Sequence, residues 1–136
     1  MRIAFGTDEQ TDVTDHVEAW LAEAGHDVVV VAERGGPWPD VGTAVGQAVA
    51  DGDAQRGVVC CFTGTGVSIA ANKVGGVRAA LCTDAQTAAG ARTWNDANVL
   101  AFGLRLTSVE VAEEMLEAFL TTAVDETEVP EIEKLV

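Results

Sequence analysis

A thiol that runs straight into a glycine-spaced turn is the chemically richest feature of the chain, in Cys60-Cys61-Phe62-Thr63-Gly64-Thr65-Gly66-Val67-Ser68. Gly57 to Val59, just before it, read as a short buried strand that delivers the thiol at its carboxyl end. Gly64 and Gly66 permit a tight turn. Consecutive N–H groups in such a turn, followed by a helix N-terminus, form a concavity suited to an oxyanion, a phosphate or an enediolate. The same donors favour the thiolate, the reactive form of cysteine. Ser68 reads as the helix N-cap. Lys73 follows the last glycine too late for the phosphate loop of nucleotide hydrolases, and the dinucleotide fingerprint is incomplete. A plain strand-to-helix connection is the alternative for a glycine turn alone, and the adjacent Cys61 and Thr63 favour a working site.

Such residues need a frame, and the rest of the chain alternates strand and helix. Arg2 to Gly6, Asp27 to Ala32, Val77 to Cys82 and Asn98 to Phe102 are strand-like. Asp12 to Ala24 is an amphipathic helix, with Val13, Val17, Trp20, Leu21 and Ala24 on one face. Helices are also expected over Val41 to Ala50, over Thr83 to Thr93 and up to Leu120, the last opened by a capping box of Thr107 and Glu110. Glu33 to Pro39, with two glycines and two prolines, reads as a loop. Valine-rich strands each followed by a helix imply an α/β fold: a three-layer α/β/α, Rossmann-like arrangement around a five-stranded parallel sheet. Ligands of such sheets bind at the strands' carboxyl ends, where Asp8, Cys61, Cys82 and Arg105 fall.

Composition sets the outer limits. With 136 residues, 48% of them apolar, the chain has enough material for one core. We expect one domain over 1–121, with 122–136 as an acidic C-terminal extension of it, mobile or packed on a partner. The net charge of −14 argues against nucleic acid, whose binding rests on Lys and Arg neutralising phosphates. No stretch approaches the roughly 18 consecutive apolar residues of a membrane span. Met1 leads directly into a strand with no signal-peptide pattern, so the expected location is cytoplasmic. Three cysteines make no disulfide framework, and neighbours Cys60 and Cys61 point to opposite faces of a strand, so Cys60 is expected in the core. Cys82 reads as a small buried residue. His16 and His26 are isolated, so no metal-ligand spacing is present.

Three spaced blocks carry a resemblance: Cys61-x-Thr63-Gly64-x-Gly66-x-Ser68-Ile69-Ala70-Ala71-Asn72-Lys73, then Gly76-Val77-Arg78-Ala79, then Asn95-Asp96-Ala97-Asn98-Val99-Leu100-Ala101-Phe102-Gly103. Together they resemble the ribose-5-phosphate isomerase B family, which also contains the galactose-6-phosphate isomerase subunits. The likeness is strong from Gly57 to about Phe119, and Met1 to Asp8 and Trp38-Pro39-Asp40 add to it. The resemblance implies a cofactor-free aldose–ketose isomerase of a small sugar phosphate, working through an enediolate. Cys61 is then the base, and the amides around Gly64, Thr65, Gly66, Val67 and Ser68 hold the oxyanion. Thr63 orients substrate or moves a proton at the ring oxygen, Asn95 and Asp8 bind sugar oxygens, and Arg105 lies near the phosphate. A homodimer or dimer of dimers with sites between subunits is implied as well.

Four departures from the family's pattern bear on specificity. Glu9 and Trp94 stand where the family has histidines, the second of them assigned to ring opening. Phe62 stands where a glycine follows the catalytic cysteine. The C-terminal segment, which usually carries phosphate-binding arginines, is acidic from Asp125 to Glu133. Such a tail repels a dianion. The pattern fits a substrate that is acyclic or opens unaided, such as a tetrose phosphate or a ketopentose phosphate, or a less charged ligand packed on aromatic faces. The alternative is a non-catalytic or half-site subunit that needs a paralogous chain.

Overall fold

The central strands of the sheet send apolar side chains to both faces, and both sets are buried. Ile3, Phe5, Val58, Cys60, Leu100 and Phe102 project to one face, while Ala4, Val59, Cys61, Val99 and Ala101 project to the other. A sheet apolar on both faces has to be covered on both. The computed structural model describes residues 1–135, in the order β1 (Arg2–Thr7), α1 (Asp12–Glu23), β2 (Asp27–Val30), α2 (Trp38–Ala50), β3 (Arg56–Cys61), α3 (Thr65–Asn72), β4 (Ala79–Leu81), α4 (Ala85–Asn95), β5 (Val99–Gly103) and α5 (Val109–Thr121). A 3₁₀ turn (Glu126–Glu128) and the short α6 (Val129–Ile132) follow.

The five strands pair in parallel in the order β2-β1-β3-β5-β4. Helices α1, α4 and α5 cover the face that carries Phe5 and Phe102, and α2 and α3 cover the other. This division follows from right-handed crossovers: connections that step toward β2 or back from β4 put their helices on one face, and connections that step away put theirs on the opposite face. The chain therefore leaves β1 and β3 in opposite directions. A crevice opens between their carboxyl ends, the position at which doubly wound sheets bind ligands.

Several boundaries differ from the sequence expectation, each for a local reason. Helix α2 begins at Trp38, not Val41, because Pro37 sits at its N-cap and Pro39 in its first turn, where a missing N–H costs nothing. Helix α4 is capped by Asp84, whose side chain accepts from the Thr87 N–H at 2.7 Å, and it continues to Asn95. Ser108, not Thr107, caps α5, and Thr107 is buried. β4 is only three residues long, since the N–H of Arg78 before it is taken by the Asn98 side chain at 2.8 Å. The acidic extension turns back on the domain, where the Asp125 N–H donates to the Thr93 carbonyl at 2.8 Å. Its last residue, Val136, lies outside the described residues. Among the described residues, no helix is long and apolar enough to cross a membrane.

Candidate active site

Strand β3 ends in Cys61, with 5% of its surface exposed, at the bottom of a cavity of about 310 Å³. Asp8, Trp38, Phe62, Thr63, Thr65 and Gly66 complete its lining. Gly64 turns the chain away with φ of 79°, a conformation that costs glycine little. A Cβ there would stand 2.6 Å from the Phe102 carbonyl carbon, so the position admits no side chain. The turn directs the Gly64 N–H at the Cys61 sulfur, 3.2 Å away. Helix α3 starts at Thr65, and its first bonded N–H is that of Ser68, which donates to the Gly64 carbonyl at 3.2 Å. Ser68 is therefore inside the helix and is not its cap. Of the expected amide set, the N–H groups of Thr65, Gly66 and Val67 are the ones the helix start leaves for an anion.

The three thiols differ by environment. Burial pushes the Cys60 thiol up to about 12, and Cys60 donates to the Gly6 carbonyl within the core. Burial, helped by the charge of Asp84, pushes Cys82 up to about 11. Both stay protonated at neutral pH. Cys61 alone of the three accepts a backbone N–H at its sulfur. Facing it, the Asp8 N–H donates to the Cys60 carbonyl at 3.4 Å, while Asp8 Oδ1 is buried with no partner among the described residues. Such an orphan at a cavity wall is a ready acceptor for a ligand hydroxyl. Burial, and then the charge of Glu9, hold the Asp8 carboxyl above its ordinary value. Thr63 and Thr65 share a hydroxyl hydrogen bond of 2.8 Å at the rim.

Arg105 lines a neighbouring cavity beyond Phe62 and Thr63, and Trp94 and Asn95 lie at the other end of the sheet. Cys61 is paired with Gly103 at the carboxyl end of β5, whereas Asn95 precedes Val99 at its amino end. The strand between them spans about 13 Å. Within one chain Trp94 and Asn95 therefore do not reach Cys61. They line other cavities, along the β4 edge with Ala80 to Cys82 and beneath it with Glu128 and Glu131.

The sequence pattern described as Ribose/Galactose Isomerase matches residues 3–135. The chain belongs to that family. Ribose-5-phosphate isomerase B of Escherichia coli is 38% identical to it over 123 residues, which cover 88% of this chain and 83% of that protein. D-erythrulose-4-phosphate isomerase of Pectobacterium atrosepticum is 46% identical over 83 residues, 61% of this chain and 55% of that one. The solved structure of Clostridium thermocellum ribose-5-phosphate isomerase B superposes with a TM-score of 0.92 at 33% identity, covering 98% of this chain and 94% of that one.

Against this ribose/galactose isomerase frame the four departures take on shape. Glu9 is exposed, its side chain outside the Cys61 cavity, and its backbone is tied by the Thr7 hydroxyl, which donates to the Glu9 carbonyl at 2.6 Å. Trp94 is 59% exposed and lies flat on Gly90, where a Cβ would meet its ring at 2.6 Å. The acidic tail sets Glu128 and Glu131 beside Trp94 and Asn95. Phe62 lies under the Arg105 guanidinium, 5.9 Å from its ring centroid. Trp38 lines the cavity as well and lies on Gly66 at a distance that leaves no room for a side chain. Its signal was the aromatic–proline pair at Trp38-Pro39.

Proposed function

We propose that the protein interconverts an aldose phosphate and its ketose through a cis-enediolate, with Cys61 as the base. The observation that carries this reading is the pairing across one cavity of a thiol that accepts a backbone N–H at 3.2 Å and an unpartnered, buried carboxylate oxygen of Asp8. In the forward direction the Cys61 thiolate takes the proton from C2, and the electron pair moves to the carbonyl oxygen O1. The N–H groups of Thr65, Gly66 and Val67 stabilise that charge. The hydroxyl proton then passes from O2 to O1, the thiol returns its proton to C1, and C2 becomes the carbonyl. Thr63, Asp8 and Trp38 position the acyclic chain, and Arg105 takes the phosphate.

The place of Asn95 supports a site completed by a second copy. Strand β4 is an edge, with Leu81 exposed on it and Trp94 exposed beside it. A two-fold axis perpendicular to β4 sets the amino ends of one sheet against the carboxyl ends of the other. That brings the partner copy's Asn95 toward Cys61. The test is proton NMR in heavy water with ribose-5-phosphate, ribulose-5-phosphate and erythrose-4-phosphate, beside Cys61→Ala. Deuterium entering next to the carbonyl only with Cys61 present is the expected result, and no exchange with any of the three overturns the reading.

A further inference from the structure

The reaction proposed above leaves one proton without a carrier, the one that passes from O2 to O1 while the carbon proton sits on Cys61. Two side chains in the Cys61 cavity suit that task. Thr63 and Thr65 both line it, and their hydroxyls share a hydrogen bond of 2.8 Å in which either can be the donor. Gly64 lies between them in sequence, and its N–H donates to the Cys61 sulfur at 3.2 Å. One short turn therefore holds the thiol and the hydroxyl pair against the same space. Neither hydroxyl has a second side-chain or backbone partner among the described residues, so both keep capacity for a substrate oxygen.

A threonine hydroxyl has one proton to give and lone pairs with which to accept another. Two of them in contact can pass a proton along without either becoming charged. O1 and O2 of a cis-enediolate stand roughly one O–H···O hydrogen bond apart, which is also the separation of the two threonine oxygens. The four oxygens can then close a ring. The O2 proton passes to the nearer threonine, that threonine's proton to its neighbour, and the neighbour's proton to O1. Each hydroxyl loses one proton and gains one, and the negative charge moves from O1 to O2. The hydrogen bond between the threonines ends up reversed, the arrangement that the opposite reaction needs.

We infer that the Thr63 and Thr65 hydroxyls together carry the proton between O1 and O2, which makes the Thr65 side chain a catalytic group in its own right. The inference rests on the isomerase reading above. Its test follows ribulose-5-phosphate and erythrulose-4-phosphate in heavy water with the wild type, Thr65→Val, Thr65→Ser and Thr63→Val. Deuterium at C1 of the recovered ketose is measured against aldose formed. Without the relay, Cys61 still removes and returns the C1 proton, but the step onward to aldose stalls. Thr65→Val, which keeps the shape and removes the hydroxyl, should raise the ratio of exchange to isomerisation at least ~10-fold. Thr63→Val should do the same, and Thr65→Ser, which keeps the hydroxyl, should hold the wild-type ratio. A wild-type ratio in either valine variant, whether its rates stand or fall together, overturns the inference while wild-type turnover upholds the isomerase reading. A ratio raised as much in Thr65→Ser as in Thr65→Val also overturns it, since the hydroxyl is then not what matters. Absence of exchange and turnover in the wild type with both ketoses overturns the two readings together.

Discussion

At the scale of single residues, three thiols of one chemical type are divided by where their strands put them. Cys61→Ala should lower turnover by about 10²–10⁴-fold, the range for removing a general base. Mass spectrometry after brief iodoacetamide treatment at neutral pH should find Cys61 carboxamidomethylated, with Cys60 and Cys82 untouched, because burial holds those two protonated. Asp8 shows the cost of a buried, unpartnered acid. Its carboxyl is held above 3.8 by burial and by Glu9, so the folded state resists its ionisation. A raised carboxyl gives stability that is fully present below the unfolded value and is lost as pH rises through the folded one. Asp8→Asn should therefore raise the melting temperature at neutral pH and leave it unchanged below about pH 4. Turnover should meanwhile fall about 10-fold or more, as one charged hydrogen bond to the sugar is lost. Thermal melts across pH 3–8 beside kinetics check both halves.

At the scale of elements, the junctions around β3 and α4 carry the positional information. Gly64→Ala forces a side chain into the left-handed region and onto the Phe102–Gly103 backbone, so chemical denaturation should show a loss of at least ~2 kcal/mol. The carboxyl end of α4 is held differently. Asp96 adopts φ of 45°, and its carboxylate accepts from Arg92 at 2.7 Å and Arg78 at 3.0 Å. Arg92, 4% exposed, also donates to the Ala97 and Thr122 carbonyls and lies over Phe119. This network ties the turn after Asn95 to α5. Arg92→Leu strips donors from two carbonyls and a half-buried carboxylate, which should cost about 3 kcal/mol. At the other end of α4, the Asp84 carboxyl is held below its ordinary value by the Thr87 N–H. The stability from that cap is complete above 3.8 and drains away as pH falls through the lower folded value, a slope that Asp84→Ala should abolish.

At the scale of the whole molecule, the parallel sheet separates what the chain order brings near. Asp8 and Cys61 meet because β1 and β3 are neighbours, though 53 residues apart in sequence. Asn95 is parted from Cys61 by the length of β5. If the partner copy's Asn95 completes each site, inactive Cys61→Ala and Asn95→Ala chains refolded together should recover about a quarter of wild-type activity, since half the dimers are mixed and each mixed dimer has one intact site. No recovery would overturn completion of the site by the partner copy's Asn95. Leu81→Lys, charging the exposed β4 edge, should shift the light-scattering mass to that of one chain and remove activity with it.

How much of this was legible beforehand follows from the range of each interaction. Strand and helix types were readable because β-branched runs and 3.6-residue periodicity act between near neighbours, and the five-stranded parallel sheet came with them. The site loop was readable too, because Cys61, Thr63, Gly64 and Gly66 are contiguous and their glycines answer a local backbone demand. Local reading failed at Trp38, where prolines were taken for a loop although a helix's first turn accepts them, and at Ser68, which the αL turn at Gly64 moves inside the helix. The orphan oxygen of Asp8, the contact of Phe62 with Arg105, and the distance of Asn95 from Cys61 all depend on strand order, a property of non-local pairing that no short window of residues contains. Sequence by itself determined which groups are candidates for the chemistry and the element that carries each one. Tertiary structure alone decided which of them share a cavity, because that depends on which strands lie side by side.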